Sequence, residues 1–306
     1  MRHFIALADY SSAELTTMLE LALQLKKERK DGGNKPLFSG KVLAMVFQKP
    51  SLRTRVSFDM AMRHLGGDAL YLSPAEIGLG RRESIADVSR VLSGYVDAVM
   101  ARVFEHEHIL ELAKHSSIPV INGLSDFNHP CQAMADMLTI LESFNKLTDL
   151  RMAFIGDGNN VAVSLAFACS KLGMHFTIAS PEGYDLPQAV INEAEGLAAA
   201  TGSKIQQTRD PIAAVQGADV IYTDTWTSMG QEDEAQKRKE VFAPFQVNEK
   251  LVGSATDDVI VMHCLPAHRG EEITDDVADG SHSVIFQQAE NRLHAQKAIL
   301  VKLLSS

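Results

Sequence analysis

Cysteine is scarce in this sequence, and its three copies, Cys131, Cys169 and Cys264, lie far apart. They form no CxxC pair, which argues against a disulfide framework and against the usual spacing of a structural zinc site. The first residues, MRHFIALADYSS, lack a basic segment followed by a long apolar run, and no apolar run is long enough to cross a bilayer. These absences predict a cytoplasmic protein with no membrane partner.

Positive charge is also in short supply. The chain has 29 lysines and arginines against 39 acidic residues, and its formal net charge is -10. This balance opposes binding to nucleic acid, because the phosphate backbone requires a basic surface. Against this background, Arg53 and Arg55 in the segment SLRTR indicate a local site for a small anion, although a solvated helix face would give the same pattern.

Apolar runs alternate with helical patterns along the whole chain of 306 residues. The first half offers the strands KVLAMVF, DAVMARV and PVING, and the second half offers LRMAFIG, HFTIAS, DVIYTDT, VIVMH and SVIFQ. Such alternation predicts parallel sheets covered by helices on both faces. We therefore expect an α/β fold of two doubly wound parallel-sheet domains, residues 1–135 and 136–288, with a last helix in 289–306 that packs back on the first domain.

The segment FQKPSLRTRVSF is the first that indicates chemistry. A strand ends at Phe47, and Ser51 is suited to cap the helix that follows. Free backbone N–H groups at a helix start bind phosphate, and here Arg53, Thr54 and Arg55 would reinforce them. A capped helix with surface arginines is the alternative interpretation.

The segment GLSDFNHPCQ places His129 and Gln132 between a predicted strand and a helix. His129 can donate a hydrogen bond to a developing oxyanion, and the Gln132 amide can pair with another amide. A histidine before a proline is equally compatible with a structural role.

The segment IGDGNN has Gly156 and Gly158 after a strand, followed by Asn159 and Asn160 at a helix start. It contains half of a dinucleotide-binding fingerprint, but the third glycine is missing and no acidic residue clearly ends the next strand. A nicotinamide dehydrogenase is therefore disfavoured. Asn160 is instead a candidate to bind a carboxylate or an amine.

The segment YTDTWTSMGQEDE places Asp224 at a strand end, before Ser228 and Met229. Its carboxylate would pair with an ammonium group, and the loop after it would close over the ligand. A helix-capping aspartate is the plainer alternative.

The segment VIVMHCLPAHRGEE brings His263, Cys264 and His268 close in sequence. A buried cysteine, a zinc site and a cysteine nucleophile are all conceivable. We predict no metal, because the segment has neither CxxC nor HExxH spacing.

Taken together, SLRTR, HPCQ, DGNN, DTWTSMGQE, HCLPAHRGEE and AENRLHAQK, in this order, resemble the ornithine branch of the aspartate/ornithine carbamoyltransferase family. The resemblance spans roughly residues 5 to 304. It implies transfer of the carbamoyl group of carbamoyl phosphate to the δ-amine of L-ornithine, giving L-citrulline and phosphate, within arginine metabolism. It also implies a first domain for carbamoyl phosphate, a second for ornithine, no cofactor, and a homotrimer or a multiple of trimers with active sites at subunit boundaries.

The resemblance also assigns roles to individual residues. The implied carbamoyl-phosphate site comprises Ser51, Leu52, Arg53, Thr54, Arg55, Arg102, His129, Gln132, Leu265 and Arg292. The implied ornithine site comprises Asn160, Asp224, Ser228, Met229 and Cys264. Among these residues, Arg102, His129, Asp224 and Cys264 carry the catalytic roles.

Three positions depart from the commonest family pattern. Gln48 replaces a usual glutamate, Leu52 replaces a frequent threonine, and Gly78 stands where many members carry glutamine or histidine that reaches a neighbouring subunit. These changes leave open a non-catalytic binding protein. Carbamoyltransferases acting on putrescine or acetylornithine are nearer alternatives, whereas aspartate carbamoyltransferases lack the SMG and HCLP segments.

Overall fold

The computed structural model describes residues 2–80, 82–227 and 232–305. The chain forms two compact units, Met1–Leu138 with Glu290–Ser306 and Thr139–Ala289. Each unit contains one parallel sheet, of four strands in the first unit and five in the second, with helices between the strands. The predicted class, α/β with two parallel-sheet domains, is therefore confirmed.

The first unit begins with a short 3-10 turn and continues with alternating helices and strands. Its elements are α1 (Ser12–Lys30), β1 (Val42–Phe47), α2 (Leu52–His64), β2 (Asp68–Leu72), α3 (Pro74–Ile77), α4 (Ile85–Ser93), β3 (Ala98–Arg102), α5 (His106–His115), β4 (Val120–Leu124) and α6 (Pro130–Phe144). The strand order is β2-β1-β3-β4. Since the order reverses between β1 and β3, their carboxyl ends form the crevice where such sheets bind ligands.

The second unit repeats this construction. Its elements are β5 (Arg151–Ile155), α7 (Asn160–Leu172), β6 (His175–Ala179), α8 (Gln188–Ala198), β7 (Ile205–Thr208), α9 (Pro211–Val215), β8 (Val220–Thr223), α10 (Ala235–Phe242), α11 (Glu249–Val252), β9 (Ile260–His263), α12 (Asp275–Ala278) and α13 (Ile285–Leu304). The strand order is β7-β6-β5-β8-β9. Here the reversal falls between β5 and β8. The residues of α13 from Glu290 onward belong to the first unit.

Local sequence signals explain where the first helix begins and which face it buries. Ser11 caps α1 by accepting a hydrogen bond from the Glu14 N–H, and the Glu14 carboxylate accepts one from the Ser11 N–H. Leu15, Met18 and Ala22, at helical spacing, are buried as expected.

Three sequence expectations about strands need correction. The run SVIFQ forms no strand, because Ile285 opens α13. A short apolar run has the same pattern in a buried strand and in the first turn of a helix. The strands β2 and β7 were not predicted; both lie at sheet edges and are partly exposed, so their sequences, DALYL and IQQT, lack a continuous apolar run.

Each unit has its own apolar core beneath its sheet. In the first unit, Val46 and Val99 of neighbouring strands belong to the same buried cluster as Ile109 of α5. In the second, Ile221 and Val261 share a cluster with residues of α9, α11 and α12. In the part of the chain that the structure describes, no helix combines the length and the apolar character needed to cross a bilayer.

Candidate active site

Polar residues gather at the carboxyl ends of the strands in both units. In the first unit we call them the cation cluster, which consists of Lys49, Ser51, Arg53, Thr54, Arg102, His129, Gln132 and Arg292. In the second unit we call them the carboxylate cluster, which consists of Asn159, Asp224 and Cys264.

The start of α2 provides a site for an anion in the first unit. Ser51 is the N-cap residue, and its hydroxyl accepts a hydrogen bond from the Thr54 N–H at 3.3 Å. The N–H groups of Leu52 and Arg53, at the first two helical positions, have no carbonyl within the helix to bind. Arg102 ends β3 and pairs in register with Phe47 of β1, so its guanidinium starts from the same edge of the sheet.

Arg292 of α13 connects two other members of the cation cluster. One of its terminal nitrogens donates to the Thr54 hydroxyl at 2.7 Å, and the other donates to the Gln132 side-chain oxygen at 2.9 Å. The Gln132 amide nitrogen donates in turn to the buried carboxylate of Asp136 at 2.8 Å. These bonds fix the Gln132 amide with its oxygen toward the cations. The structure thus brings together three residues that are far apart in sequence.

The arginines of SLRTR lie in different surroundings. The Nε atom of Arg53 is buried and has no hydrogen-bond partner among the described residues. A buried donor of this kind is expected to meet a ligand or water. Arg55 is more exposed, and its guanidinium carbon lies 4.1 Å from the centre of the Tyr71 ring.

His129 is buried beside several cations, directly before the first residue of α6. Burial lowers the pKa of His129 well below its usual range, and the positive charges of Arg292, Arg102, Lys49 and Arg53 lower this pKa further. The imidazole is therefore neutral at neutral pH. A neutral ring still offers one N–H to a developing oxyanion.

Lys49 belongs to the cation cluster, although the sequence analysis assigned it no role. Burial, together with the charge of Arg102, lowers the pKa of Lys49 to about 8. Its ammonium nitrogen lies 4.9 Å from the centre of the Phe104 ring. The signal in the sequence was its position between the end of a strand and a helix cap.

Two departures from the family pattern have structural explanations. The Gln48 amide nitrogen donates to the Leu79 carbonyl at 3.2 Å, and its oxygen accepts from the Phe104 N–H at 3.0 Å. A glutamate could not make the first of these bonds. Gly78 ends α3 with φ of 51°, a left-handed conformation that favours glycine over glutamine or histidine.

In the second unit, Asp224 follows the last residue of β8 and is buried. One carboxylate oxygen accepts from the Cys264 thiol and from the Thr225 N–H, each at 2.8 Å, and the other accepts from the Asn159 amide at 2.7 Å. These donors orient a single negative charge at the switch point of the sheet. Such a charge suits an ammonium ligand.

Asn159, the residue before the predicted Asn160, takes part in this arrangement. Its side-chain oxygen caps α7 by accepting from the N–H groups of Val161 and Ala162, which leaves its amide nitrogen directed to Asp224. Asn160 is the first residue of α7. The sequence prediction gave the ligand-binding role to Asn160 and gave Asn159 no role.

Gly158 of the segment IGDGNN has a packing role. A Cβ atom on Gly158 would lie 2.4 Å from the backbone of Asp185 and Leu186, and the Gly158 N–H donates to the Tyr184 carbonyl at 2.8 Å. In a dinucleotide-binding fold such a glycine makes room for a pyrophosphate. Here the chain itself fills that space, which argues further against a dehydrogenase.

The neighbours of Cys264 bear on the metal and nucleophile interpretations. A side-chain atom of His263 lies within 4.8 Å of ligand atoms of Asp224 and Cys264. However, Nδ1 of His263 accepts from the Leu265 N–H, and its Nε2 contacts Glu272. The imidazole is thus engaged with other groups, while the thiol donates to Asp224.

Arg238 of α10 was not recognised in the sequence. It is buried and donates to the Asp157 carboxylate at 2.7 Å and to the Trp226 carbonyl at 2.9 Å. These bonds hold the segment that follows Asp224. Ser228 and Met229, which the resemblance assigns to ornithine, lie outside the described residues.

Comparisons with known proteins agree with the resemblance. The family described as "Aspartate/ornithine carbamoyltransferase, carbamoyl-P binding domain" matches residues 2–142. The family described as "Aspartate/ornithine carbamoyltransferase, Asp/Orn binding domain" matches residues 148–303. Together the two matches cover nearly the whole chain.

Individual relatives are similar over their full length. The ornithine carbamoyltransferase of Anoxybacillus flavithermus is 57% identical over 303 residues, which cover 99% of this chain and 96% of that protein. An anabolic ornithine carbamoyltransferase of Pyrococcus furiosus is 55% identical, covering 98% and 95% of the two chains. The solved structure of a Pyrococcus furiosus ornithine carbamoyltransferase has a TM-score of 0.97 at 54% identity and covers 100% of this chain and 97% of that chain. The chain therefore belongs to the aspartate/ornithine carbamoyltransferase family, as its motifs predicted.

Proposed function

We propose that this protein transfers the carbamoyl group of carbamoyl phosphate to the δ-amine of L-ornithine, releasing L-citrulline and phosphate. The first unit binds carbamoyl phosphate and the second binds ornithine. The observation that carries this choice of acceptor is the buried carboxylate of Asp224, oriented by three donors. An acceptor such as aspartate, with a second carboxylate, would need cations in its place.

The phosphate group of carbamoyl phosphate binds at the start of α2. Backbone N–H groups of Leu52 and Arg53 face the anion, the Ser51 hydroxyl donates to it, and Arg55 adds charge. The unpartnered buried Nε of Arg53 supports this placement.

The carbonyl oxygen of the same substrate is bound by Arg102, His129 and the Thr54 hydroxyl. Negative charge grows on this oxygen when a nucleophile adds to the carbonyl carbon, and fixed donors stabilise the charge without reorganising. The low pKa of His129 supports a neutral donor at this position. Gln132 and the Leu265 backbone hold the carbamoyl nitrogen.

Ornithine is held by Asp224, with Asn160, Ser228 and Met229 completing its site and Cys264 near the reacting amine. The δ-nitrogen must lose a proton before it can attack, because an ammonium has no lone pair. The neutral nitrogen then forms a bond to the carbonyl carbon, the bond from that carbon to the phosphate oxygen breaks, and the leaving phosphate accepts the proton released by the nitrogen. The fixed cations favour the neutral amine over the ammonium.

The decisive test is citrulline formation from carbamoyl phosphate and ornithine, run in parallel with putrescine, acetylornithine and aspartate as acceptors. We expect turnover with ornithine to exceed turnover with each other amine by about 100-fold or more, because a buried carboxylate and amide discriminate strongly between polar ligands. A preference for putrescine or acetylornithine would reassign the acceptor. Failure to bind carbamoyl phosphate would exclude the enzyme class.

The same family membership leads us to propose a homotrimer, or a multiple of trimers, located in the cytoplasm. Sedimentation equilibrium tests the assembly. No disulfide joins the three cysteines, all of which lie among the described residues, and this supports a reducing compartment.

A further inference from the structure

His263, the last residue of β9, is fully buried, and both of its ring nitrogens make hydrogen bonds. The Leu265 N–H lies 2.8 Å from Nδ1, and Nε2 lies 3.0 Å from a carboxylate oxygen of Glu272. Because a backbone N–H can only donate, Nδ1 is the acceptor and the ring proton resides on Nε2. Nε2 therefore donates to Glu272.

Glu272 is itself fully buried and held in place. The oxygen that accepts from His263 also accepts from the His268 N–H at 2.6 Å. The His263 backbone N–H donates to the Gln288 side chain at 2.9 Å, and Gln288 donates to the Tyr222 hydroxyl at 3.0 Å. The ring is thus fixed at both of its nitrogens, and the backbone of the residue is fixed as well. A buried carboxylate hydrogen-bonded to a histidine is the usual way to fix the tautomer and orientation of that ring.

The fixed His263 imidazole determines the orientation of the Cys264–Leu265 peptide group. The only cis bond recorded among the described residues is Leu265-Pro266, so the Cys264–Leu265 peptide is trans. In a trans peptide the N–H and the C=O point in opposite directions. Since the Leu265 N–H points to the buried imidazole, the Cys264 carbonyl points away from it. Leu265 itself has φ of 58°, a region that leucine rarely adopts and that needs support from its surroundings.

We propose that the His263–Glu272 pair is a positioning device for the reaction, which holds the Cys264–Leu265 peptide so that the Cys264 backbone carbonyl accepts a hydrogen bond from the δ-nitrogen that reacts. The proposal rests on the proposed function, because it concerns the same transfer step. His263 and Glu272 are positioning residues and do not contact the substrates.

The chemistry explains why fixed carbonyls at this place would accelerate the reaction. When the amine adds to the carbonyl carbon, positive charge develops on its nitrogen, and its N–H groups become stronger donors. A carbonyl already oriented toward them stabilises the transition state more than the ground state. Loss of the orientation should therefore lower kcat, with only a small effect on carbamoyl phosphate binding through the Leu265 backbone.

Three variants test the pair: His263→Leu, His263→Asn and Glu272→Gln. We expect His263→Leu to lower kcat by about 100-fold, as small misplacements in active sites do. In His263→Asn the amide oxygen replaces Nδ1 as the acceptor for the Leu265 N–H. The kcat of this variant should therefore be about 10-fold higher than that of His263→Leu. Glu272→Gln keeps an acceptor but removes the charge, so we expect a loss of about 10-fold. In all three, the Kd of carbamoyl phosphate should rise by no more than about 3-fold, because the Leu265 backbone supplies only one of its contacts.

The matched control is His282→Asn. His282 lies near the opposite end of β9, where its Nδ1 is 2.8 Å from the Val259 carbonyl. The kcat of His282→Asn should stay within about 2-fold of that of the unmodified protein.

Unchanged kcat in Glu272→Gln and His263→Asn, with His263→Leu either active or unfolded by circular dichroism, would overturn the proposal. A loss of kcat in His263→Leu that His263→Asn does not relieve would overturn it as well. If the unmodified protein formed no citrulline, the proposed function would fail and this inference with it. Full activity of the unmodified protein with full activity in every variant would refute the positioning role alone.

Discussion

The cation cluster and the carboxylate cluster carry charges of opposite sign. The cation cluster of the first unit holds like charges together, and burial, with the repulsion between these charges added to it, lowers the pKa values of His129 and Lys49. The carboxylate cluster of the second unit holds one negative charge, which is already satisfied by donors. The first cluster is therefore relieved when an anion arrives, whereas the second must exchange a neutral partner for a cation.

The opposite charges of the two clusters explain how the two substrates are distinguished. Each cluster carries charge opposite to that of its proposed ligand, and each is built at the switch point of its own sheet. A substitution in one cluster should accordingly affect one substrate and spare the other. Each of the four predictions below tests whether the effects on the two substrates are separate.

The largest effect is expected for Arg53→Ala. Removal of the guanidinium that binds the leaving phosphate group should lower kcat/KM for carbamoyl phosphate by about 1,000-fold or more. Citrulline formation and calorimetric titration with carbamoyl phosphate measure it. The control is Arg63→Ala on the same helix, whose exposed pair with Asp59 contributes little. Unaltered activity of Arg53→Ala would refute its assigned role.

The counterpart in the second unit is Asp224→Asn. The substitution removes the charge and turns an NH2 group toward the donors that now surround the carboxylate, so kcat/KM for ornithine should fall by about 100-fold. The Kd of carbamoyl phosphate, titrated without ornithine, should not change. Asp258→Asn, an exposed position in the same unit, is the control. A weaker affinity of Asp224→Asn for carbamoyl phosphate would contradict the idea that each cluster serves one substrate.

A pH experiment tests whether the charge of Lys49 contributes to the affinity of the cation cluster for carbamoyl phosphate. Lys49 is charged below its pKa of about 8 and neutral above it, so affinity for carbamoyl phosphate should fall as the pH rises through this value. Binding at about pH 8.5 should take up protons, because the bound anion favours the ammonium form. Calorimetry in buffers of different ionisation enthalpy measures the uptake. Lys49→Met should abolish this uptake and weaken binding at neutral pH by about 10-fold.

The control for Lys49 is Lys114→Met, an exposed lysine near the end of α5. Proton uptake that persists in Lys49→Met would assign the titration to another group.

The smallest effect is expected for Gln48→Glu, which restores the commoner residue. A carboxylate cannot donate to the Leu79 carbonyl, so the free energy of unfolding in urea should fall by about 1 kcal/mol. The added charge should raise the Kd of carbamoyl phosphate by about 3-fold. A more stable variant would show that the amide bond to Leu79 contributes nothing.

The alternation of apolar runs and helices was enough to predict the fold, because buried parallel strands such as VLAMVF have a continuous apolar sequence. The edge strands β2 and β7 have no such sequence, since one side of each is open to solvent. The run SVIFQ was misassigned because its length did not distinguish a strand from the first turn of α13.

Sequence order also located the ends of strands that carry polar residues, and the resemblance then supplied their roles. It did not indicate the Arg292 bonds to Thr54 and Gln132, or the contact of Asn159 with Asp224, because these depend on how distant segments fold together. Lys49 and Arg238 were overlooked for a similar reason. An isolated lysine or arginine in a sequence is usually a surface residue, and only the structure reveals that these two are withdrawn from water.

The bond from Arg292 to Thr54 joins residues 238 positions apart. During synthesis the N-terminal part of a chain usually folds first. Here the ribosome must add 238 residues after Thr54 before the guanidinium that completes the cation cluster is made. Products of interrupted translation that end before this arginine lack the finished pocket, so titration with carbamoyl phosphate distinguishes polypeptides that contain Arg292 from such fragments.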